Sequence, residues 1–437
     1  MSSLVLKNAR FMLPEKVFEG DLMVVDESIS KMGKDLQGDE EIDLQGKYVL
    51  PGLVDAHVHF REPGASEKED WFTGSCAAAA GGVTTVLDMP NTSPPTTTKK
   101  LLDEKRKNYA DKSTVDYGFH FGASTGNVEE LRKIDEIASV KFYMGSTTGS
   151  LLVESDLILL DQLRVLSERD ILATVHAEDE RVIEGQTKKL MAACRKDAGA
   201  YAESRPNKAA AEAAKRVITL SGKAKSRLHI CHISTKEELE ILSTYKKDQA
   251  VTCEASPHHL FLTKDDYERL GTLAKTNPPL RSKKDREALW AAVKNGQVDI
   301  IATDHAPHTL ESKKQDIWTA PAGVPGLETM LPLLLNEVNK GTLSLKQVIG
   351  LTSENPARIF RIRNKGRIKE GYDADLVVVD TDLEKKVSNE ELYTKCGWSP
   401  FSGWKLKGWP VKTFVRGKLV YDEGKIDKIK GKEVSYV

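Results

Sequence analysis

The sequence predicts an α/β protein: a (β/α)8 TIM barrel with a small β-sandwich domain formed by the N- and C-terminal segments. From Leu53 onward, short apolar runs alternate with longer amphipathic stretches, which is the pattern of repeated β-α units. Both ends of the chain instead show apolar residues with a period of two, which is typical of strands. The length of 437 residues suits a barrel of roughly 250 residues or more plus an accessory domain.

We expect three segments along the chain. Residues 1–48 form the first part of the sandwich, residues 49–365 form the catalytic barrel, and residues 366–437 form the second part of the sandwich. The barrel segment contains eight strand candidates, the number that closes such a barrel: 53–60, 84–89, 115–123, 140–144, 171–176, 228–233, 251–255 and 300–303. Helices are expected at 69–80, 127–137, 155–167, 209–221, 283–295, 327–339 and 345–350.

Charge and composition exclude several classes of protein. The 64 basic and 65 acidic residues nearly cancel, so no general attraction to nucleic acid or to an anionic membrane is expected. No apolar stretch approaches the ~18 residues that a membrane-spanning helix needs. The five cysteines are scattered and lack CxxC spacing, which argues against a disulfide framework and a thiolate zinc site. A cytoplasmic location is the simplest expectation.

Histidine and aspartate residues recur where the predicted strands end. His57 and His59 lie two apart on the first strand, so their side chains share a face. His176 ends the fifth strand, His232 ends the sixth, and Asp304 follows the eighth. Barrel enzymes place their active sites at the carboxyl ends of the strands. A lone strand histidine is usually a hydrogen-bonded core residue, but this recurrence indicates nitrogen and oxygen ligands for zinc or a similar divalent ion.

Five ligands exceed what one catalytic ion needs, which makes a two-ion centre plausible. Two ions about 3.5–4 Å apart require a bridging anion, and Lys141 on the fourth strand could supply it if carbon dioxide converts its amine to a carbamate. The alternative for Lys141 is an ordinary surface lysine, although its apolar neighbours argue against that. We expect His229 to face away from His232, toward the helices, because the two are three residues apart on a strand.

Several sequence motifs carry a resemblance to a known family. They are His57-Val-His-Phe-Arg-Glu-Pro-Gly64, Asp88-Met-Pro-Asn-Thr92, Thr276-Asn-Pro-Pro-Leu-Arg281 and Thr303-Asp-His-Ala-Pro-His308. Together with the order of the ligand candidates, these motifs resemble the amidohydrolase superfamily and, within its cyclic-amide branch, the dihydroorotase family. The similarity runs from about Leu50 to Asp380.

The resemblance implies a hydrolase that interconverts N-carbamoyl-L-aspartate and L-dihydroorotate in pyrimidine biosynthesis. It implies two divalent metal ions, with zinc expected, one held by His57, His59 and Asp304 and the other by His176 and His232. An N6-carboxylated Lys141 would bridge them, and Asp304 would carry the catalytic proton. Substrate contacts are implied at the residues that match the family motifs, which are His59, Arg61, Asn91, Asn277, His308, Ala322 and Gly323. A homodimer is also expected.

Other functions are compatible with the same metal ligands. Allantoinase and dihydropyrimidinase or hydantoinase belong to the same superfamily, but their substrates carry no carboxylate that a guanidinium at Arg61 would serve. Asn91, Asn277 and His308 could also be turn or loop residues. A catalytically silent partner subunit is a further alternative, although such relatives typically lose ligands and all six positions are occupied here.

Overall fold

The structure is a computed structural model that describes residues 3–147 and 149–437; residues 1 and 2 of the first predicted segment lie outside it. Two β-sheets organise the chain. Strands β1 to β5 are Ser3–Met12, Val17–Val25, Ser28–Gly33, Glu40–Asp43 and Tyr48–Pro51. Strands β6 to β13 are Leu53–Val58, Val83–Asp88, Asp116–Gly122, Ser139–Tyr143, Ala173–His176, Leu228–Ile230, Val251–Ala255 and Ile300–Ile301. Strands β14 to β17 are Leu376–Lys386, Lys405–Val415, Lys418–Asp422 and Lys425–Ile426.

Strands β6 to β13 form a parallel sheet in sequence order, with β6 and β13 at its ends. The ends approach each other through a parallel bridge between Val58 and His305, and through a hydrogen bond of 2.8 Å from the His59 amide to the His305 carbonyl. Nearly all residues of these strands are buried, as expected for a parallel sheet that is covered on both faces. The predicted barrel is therefore confirmed, and each of the eight strand candidates overlaps one of its strands.

Helices cover the outside of the barrel and connect its strands. Their bounds are α1 Trp71–Ala80, α2 Lys99–Tyr109, α3 Val128–Leu131, α4 Asp156–Glu168, α5 Glu180–Ala192, α6 Ala198–Ser204, α7 Asn207–Ala224, α8 Lys236–Tyr245, α9 Pro257–Phe261, α10 Tyr267–Leu270, α11 Lys283–Lys294, α12 Leu310–Lys313, α13 Leu327–Asn339, α14 Leu345–Ile349 and α15 Asn355–Ile359. Side-chain caps fix several of the starts. Asp70 with Thr73 and Thr235 with Glu238 form capping boxes at α1 and α8.

The helix predicted at 127–137 is wrong in its extent. Only Val128–Leu131 is helical, and the chain then turns before it enters β9 at Ser139. Ile134 and Ile137 remain buried against the barrel, although they are not helical. The apolar spacing of this segment therefore reports burial of its side chains rather than a helical period.

The strands at both ends of the chain form one continuous sheet around their own apolar core. Its order is β17-β16-β15-β14-β5-β1-β2-β3, with β4 paired to β1. The predicted second β domain is confirmed, and its two halves meet where β14 pairs antiparallel with β5. Since β5 spans Tyr48–Pro51, the boundary predicted at 48 falls inside this strand.

The last residues of the chain leave the β domain and run across the amino-terminal end of the barrel. The Gly431 amide donates to the Ser113 carbonyl at 2.7 Å, and the Val434 amide donates to the Tyr117 carbonyl at 2.8 Å. Val434 and Tyr436 of this tail pack in one apolar cluster with Phe360, just beyond α15, and with barrel residues such as Leu87 and Leu172. The carboxyl ends of the strands, at the other end, carry the polar residues described next.

Candidate metal centre and active site

The five predicted histidine and aspartate ligands lie together at the carboxyl end of the barrel. His57 Nε2 and His59 Nε2 lie 3.3 and 3.2 Å from the same oxygen, Oδ1 of Asp304. His176 Nδ1 lies 3.0 Å from His232 Nε2, and the ring of His232 is 5.4 Å from that of His57. The side chains therefore form two adjacent groups, one of three ligands and one of two. Ligand atoms of His57, His59 and Asp304 all lie within 4.8 Å of one another, which suits one bound cation.

Three residues of this region have an unusual backbone conformation. The φ angles of Arg61, His232 and Asp304 are 59°, 33° and 48°. Residues other than glycine rarely adopt this left-handed backbone conformation, which costs roughly 1–3 kcal/mol. Residues that do adopt it cluster at functional sites. These three residues point their side chains into the site at the expense of a regular backbone.

Neighbouring side chains hold the ligand histidines in place. Glu254 on β12 is hydrogen-bonded to His57 Nδ1, which leaves Nε2 facing Asp304. Asn91 Oδ1 lies 2.7 Å from His59 Nδ1, and Glu178 Oε2 lies 3.1 Å from His176 Nε2. Contacts of this kind fix the orientation of a ligand ring and raise its basicity.

Sequence reasoning missed both of these carboxylates. Glu254 is a charged residue inside an otherwise apolar strand and is completely buried, while Glu178 follows His176 by two residues. A carboxylate in the middle of a strand of a parallel barrel was the available signal, because such a residue is seldom buried without a partner.

The prediction that His229 faces the helices is wrong. His229 Nε2 lies 3.0 Å from Glu254 Oε2, the carboxylate that also holds His57. Regular alternation stops because β11 ends at Ile230 and His232 has the left-handed φ of 33°. His229 and His232 can therefore both point into the barrel, with His229 below the ligands.

Lys141 lies at the centre of the site. Its side chain is completely buried, its Nζ is 2.8 Å from Cys231 Sγ, and it stands 5.2 Å from the centre of the Tyr143 ring. No carboxylate among residues 3–147 and 149–437 forms an ion pair with it. Burial raises the pKa of the Cys231 thiol, so this neighbour does not supply a negative charge. An unmodified ammonium here would contact a neutral thiol, with the carboxylate of Asp304 nearby but not paired with it.

Burial favours the neutral form of the candidate ligand histidines. Burial, followed by the charge of Lys141, lowers the pKa of His57, and burial with the charge of Arg61 lowers the pKa of His59 well below its ordinary value. A neutral imidazole is the form that binds a metal ion. The donor set and its protonation therefore fit divalent ions of the zinc type.

The remaining predicted residues surround a small pocket above the ligands. Arg61, Asn91, Asn277, Ala322 and Gly323 line this pocket together with the ligands, Tyr143 and Thr147. Arg61 donates from Nε to the Pro307 carbonyl at 3.1 Å, and its Nη2 lies 3.1 Å from His308 Nε2. His308 lies beside the pocket, and its Nε2 is 3.0 Å from the Ala322 carbonyl oxygen.

A wider cavity leads outward from the pocket, and the two share Thr147, Asn277 and Ala322. Tyr201, Arg205, Lys275 and Trp318 are among the residues that line it. Tyr201 donates from its hydroxyl to Asn277 Oδ1 at 2.6 Å, and Lys275 Nζ is 4.1 Å from the centre of the Tyr201 ring. This cavity is an entrance of suitable size for a small molecule.

The β domain also reaches the active-site end of the barrel. In the segment between β14 and β15, Trp398 Nε1 donates to the His308 carbonyl at 2.7 Å. Thr394 in the same segment is hydrogen-bonded to Glu69, and Lys395 donates from its amide to Glu69 at 3.1 Å. The loop that carries His308 is therefore held from outside by a residue of the other domain.

The fold and the site together define the class of this protein. The chain matches the Amidohydrolase family over residues 48–420, and it belongs to that family. Among curated proteins, it is 42% identical to the dihydroorotase of Halobacterium salinarum over 417 residues, which cover 95% of this chain and 96% of that protein. It is 41% identical to the dihydroorotase of Pyrococcus horikoshii, over 95% of this chain and 92% of that protein.

Solved structures with the same fold include hydantoinases and dihydropyrimidinases. The L-hydantoinase (dihydropyrimidinase) from Arthrobacter aurescens has a TM-score of 0.96 and 34% identity, with all of both chains covered. The dihydropyrimidinase from Brevibacillus agri has a TM-score of 0.94 and 29% identity, over 99% of this chain and 98% of the other. No helix in the described part of the chain is long and apolar enough to cross a membrane.

Proposed function

We propose that this protein is a dihydroorotase, a hydrolase that interconverts N-carbamoyl-L-aspartate and L-dihydroorotate plus water in the synthesis of pyrimidine nucleotides. Near full-length similarity to several curated dihydroorotases supports this function. The observation at the site that carries it is Arg61. This guanidinium is 6% exposed, lines the pocket and forms no ion pair within the described residues. A buried guanidinium without a carboxylate partner favours binding of an anion, and the ring carboxylate of dihydroorotate supplies one.

The proposed cofactor is a pair of divalent metal ions, with zinc as the expected metal. His57, His59 and Asp304 would hold one ion, and His176 and His232 would hold the other. When bound, such ions lower the pKa of a water molecule and polarise the carbonyl that it attacks.

Lys141 is proposed to be N6-carboxylated and to bridge the two ions. Its position among neutral histidines, without a carboxylate partner, supports this modification. Conversion of the ammonium to an anionic carbamate removes an uncompensated buried cation and provides two metal-binding oxygens. Mass spectrometry under native conditions tests this proposal. An unmodified lysine in protein that carries two metal ions per chain would refute it.

The chain's own residues would bind the substrate and transfer a proton. Arg61 and Asn277 would contact the substrate, with His308, Asn91, His59 and the backbone of Ala322 and Gly323 around them. Asp304 would take a proton from the attacking water and deliver it to the departing ring nitrogen, and the cyclising direction reverses this path. A substrate contact by His308 is supported by its Nδ1 atom, which is buried and has no hydrogen-bond partner in the described part of the chain.

The competing function is hydrolysis of a neutral cyclic ureide, as the names of the structural neighbours suggest. A direct assay decides between the two. Metal-reconstituted protein is given L-dihydroorotate, hydantoin, 5,6-dihydrouracil or allantoin under identical conditions. We expect the highest kcat/KM for dihydroorotate and loss of this activity after chelation of the metals. A preference for hydantoin or dihydrouracil would contradict the proposal, and no turnover with any substrate would revive the silent-subunit alternative.

We further propose that the enzyme is a cytoplasmic homodimer. The five cysteines are all unpaired thiols, four of them buried, which suits a reducing compartment. The resemblance to dihydroorotases supports the dimer. Light scattering on the purified protein measures the oligomeric state, and a monomer at micromolar concentration would contradict it.

A further inference from the structure

Lys313, at the end of α12, is a buried lysine whose ammonium, among the described residues, contacts backbone oxygens and an aromatic ring and no carboxylate. Its side chain is completely buried. Nζ donates to the carbonyl oxygens of Lys275, Pro321 and Gly323 at 3.0, 3.0 and 2.9 Å, and it lies 5.8 Å from the centre of the Trp398 ring. An ammonium has three N–H donors, whereas a neutral amine has only two. The three acceptors therefore match the charged form.

This charge has no counterion. Within residues 3–147 and 149–437, Lys313 forms no ion pair, and neither does its neighbour Lys275. Burial, followed by the charges of Lys275 and Arg61, holds the pKa of Lys313 well below its ordinary value. The three carbonyl oxygens favour the charged form, because each accepts one N–H of the ammonium. A lysine that folding buries without a carboxylate costs free energy, so its retention at this position calls for a function.

The three acceptors belong to the two segments that carry the proposed substrate contacts. Pro321 and Gly323 flank Ala322, whose carbonyl oxygen lies 3.0 Å from His308 Nε2, and His308 is in turn 3.1 Å from Arg61. Lys275 immediately precedes the motif that contains Asn277, and its carbonyl also accepts the Gly323 amide at 2.9 Å. One ammonium thus joins the loop after the seventh barrel strand to the loop after the eighth.

We propose that Lys313 is a positioning and specificity-determining residue, which fixes both substrate-binding loops and adds an uncompensated positive charge that favours carboxylate-bearing substrates over neutral cyclic ureides. The proposal rests on the proposed function, because it concerns the same pocket. The buried charge of Lys313 would then add to the selectivity for a carboxylate that is proposed for Arg61 through direct contact.

A purely structural role would have a different signature. Loss of the three hydrogen bonds would loosen the loops and weaken every ligand to a similar degree. Loss of the charge would weaken anionic ligands alone. Orotate and its carboxamide, orotamide, separate the two effects, since they have the same ring and nearly the same size and differ by one negative charge.

The experiment measures competitive inhibition of the metal-loaded enzyme by orotate and by orotamide, in the wild type and in Lys313→Gln and Lys313→Met. The glutamine variant keeps two N–H donors without the charge, so it tests the charge even if Lys313→Met does not fold. Lys246→Gln is the matched control. Lys246 also donates to a backbone carbonyl, that of Gln297 at 2.6 Å, but it lies at the amino-terminal end of the barrel and is paired with Asp299.

In both Lys313 variants we expect orotate to bind about 10- to 100-fold more weakly, as Coulomb's law gives for one unit charge roughly 6–12 Å away at an effective dielectric constant of about 20. Orotamide lacks the negative charge, so its binding should weaken only through looser loops, by less than about 3-fold in Lys313→Gln, which keeps two N–H donors. Lys246→Gln should leave both constants unchanged. Equal losses for the two inhibitors, or no loss for either, would overturn the proposal. A wild type that neither turns over dihydroorotate nor binds orotate would instead refute the proposed function.

Discussion

The two ends of the barrel differ in how completely their buried cations are paired with carboxylates. At the amino-terminal end, Lys365 lies between Asp116, Asp373 and Asp375, and Arg416 also contacts Asp116. Every buried cation there has a carboxylate beside it. At the carboxyl end, Lys105 and Arg205 are paired with Asp88 and Glu178. The residues around the pocket differ: Arg61, Lys141 and Lys313 are equally buried and none forms an ion pair in the described part of the chain.

The difference shows which end the sequence devotes to stability and which to chemistry. At the amino-terminal end, ion pairs compensate the buried charges and the tail is docked, so this end requires no ligand. The carboxyl end leaves positive charge to be balanced by substrate and by the proposed carbamate, and it contains the three left-handed residues Arg61, His232 and Asp304. Substitutions at the two ends should therefore affect different measurements.

The largest effect is expected for Asp304→Asn at the carboxyl end. The amide keeps the size of the side chain but cannot accept the proton, so kcat should fall by about 10³-fold. Melting temperature and metal content should stay close to those of the wild type. Steady-state kinetics with dihydroorotate measure this change, and near-normal turnover would remove Asp304 from the proposed role.

Lys365→Met tests the opposite end. The substitution leaves Asp116, Asp373 and Asp375 without their shared cation, which should lower the free energy of unfolding by about 3–5 kcal/mol. Below its melting temperature the variant should retain the kcat of the wild type. Urea denaturation and kinetics on the same sample provide both values. A large loss of kcat in the folded variant would show that the two ends are not independent.

Arg61→Met should affect substrate recognition with a smaller magnitude. Loss of hydrogen bonds to a charged group corresponds to about a 10- to 100-fold lower kcat/KM for dihydroorotate. Arg61→Lys keeps the charge without the planar fork, so its kcat/KM should lie between those of the wild type and Arg61→Met. Stability should not decrease, because the wild type buries an unpaired guanidinium there. An unchanged kcat/KM in the methionine variant would contradict the proposed carboxylate contact.

The smallest effect is expected for Gly431→Ala in the tail. A Cβ atom at this position would lie 2.0 Å from the Val115 carbonyl oxygen, so the tail must shift. Overpacking of this kind lowers the free energy of unfolding by about 1–3 kcal/mol. Gly350→Ala is the control, since its Cβ would meet nothing within 4 Å. Equal denaturation curves for the two variants would show that the tail adds little stability.

The barrel could be predicted because its strands follow a local rule. Each buried parallel strand appears as a short apolar run, and the eight runs overlap the eight strands of the barrel sheet. Helices were less predictable where charged residues dominate. Lys99–Tyr109 and Glu180–Ala192 are helices, although neither was predicted as one. The segment after Leu131 shows the converse, with apolar residues that are buried without forming a helix.

The candidate site could be predicted only in part, for a geometric reason. His57, His59, His176, His232 and Asp304 share the carboxyl ends of the strands, and strand order alone brings such residues together. Glu178 and Glu254 act through contacts with Arg205 and His57, which lie 27 and 197 positions away. Lys313 acts through carbonyl oxygens 8 to 38 positions away. No local pattern encodes those contacts. His229 was misjudged because the backbone leaves the regular strand just beyond it.

The bond from Trp398 to the His308 carbonyl has a consequence for how this protein can be rebuilt by recombination. A chimera that joins this barrel to the β domain of a relative would replace the indole that supports an active-site loop. The two domains therefore have to be exchanged together, or Trp398, Thr394 and Lys395 must travel with the barrel. The β domain, which contains none of the candidate metal ligands, thus takes part in supporting the active site.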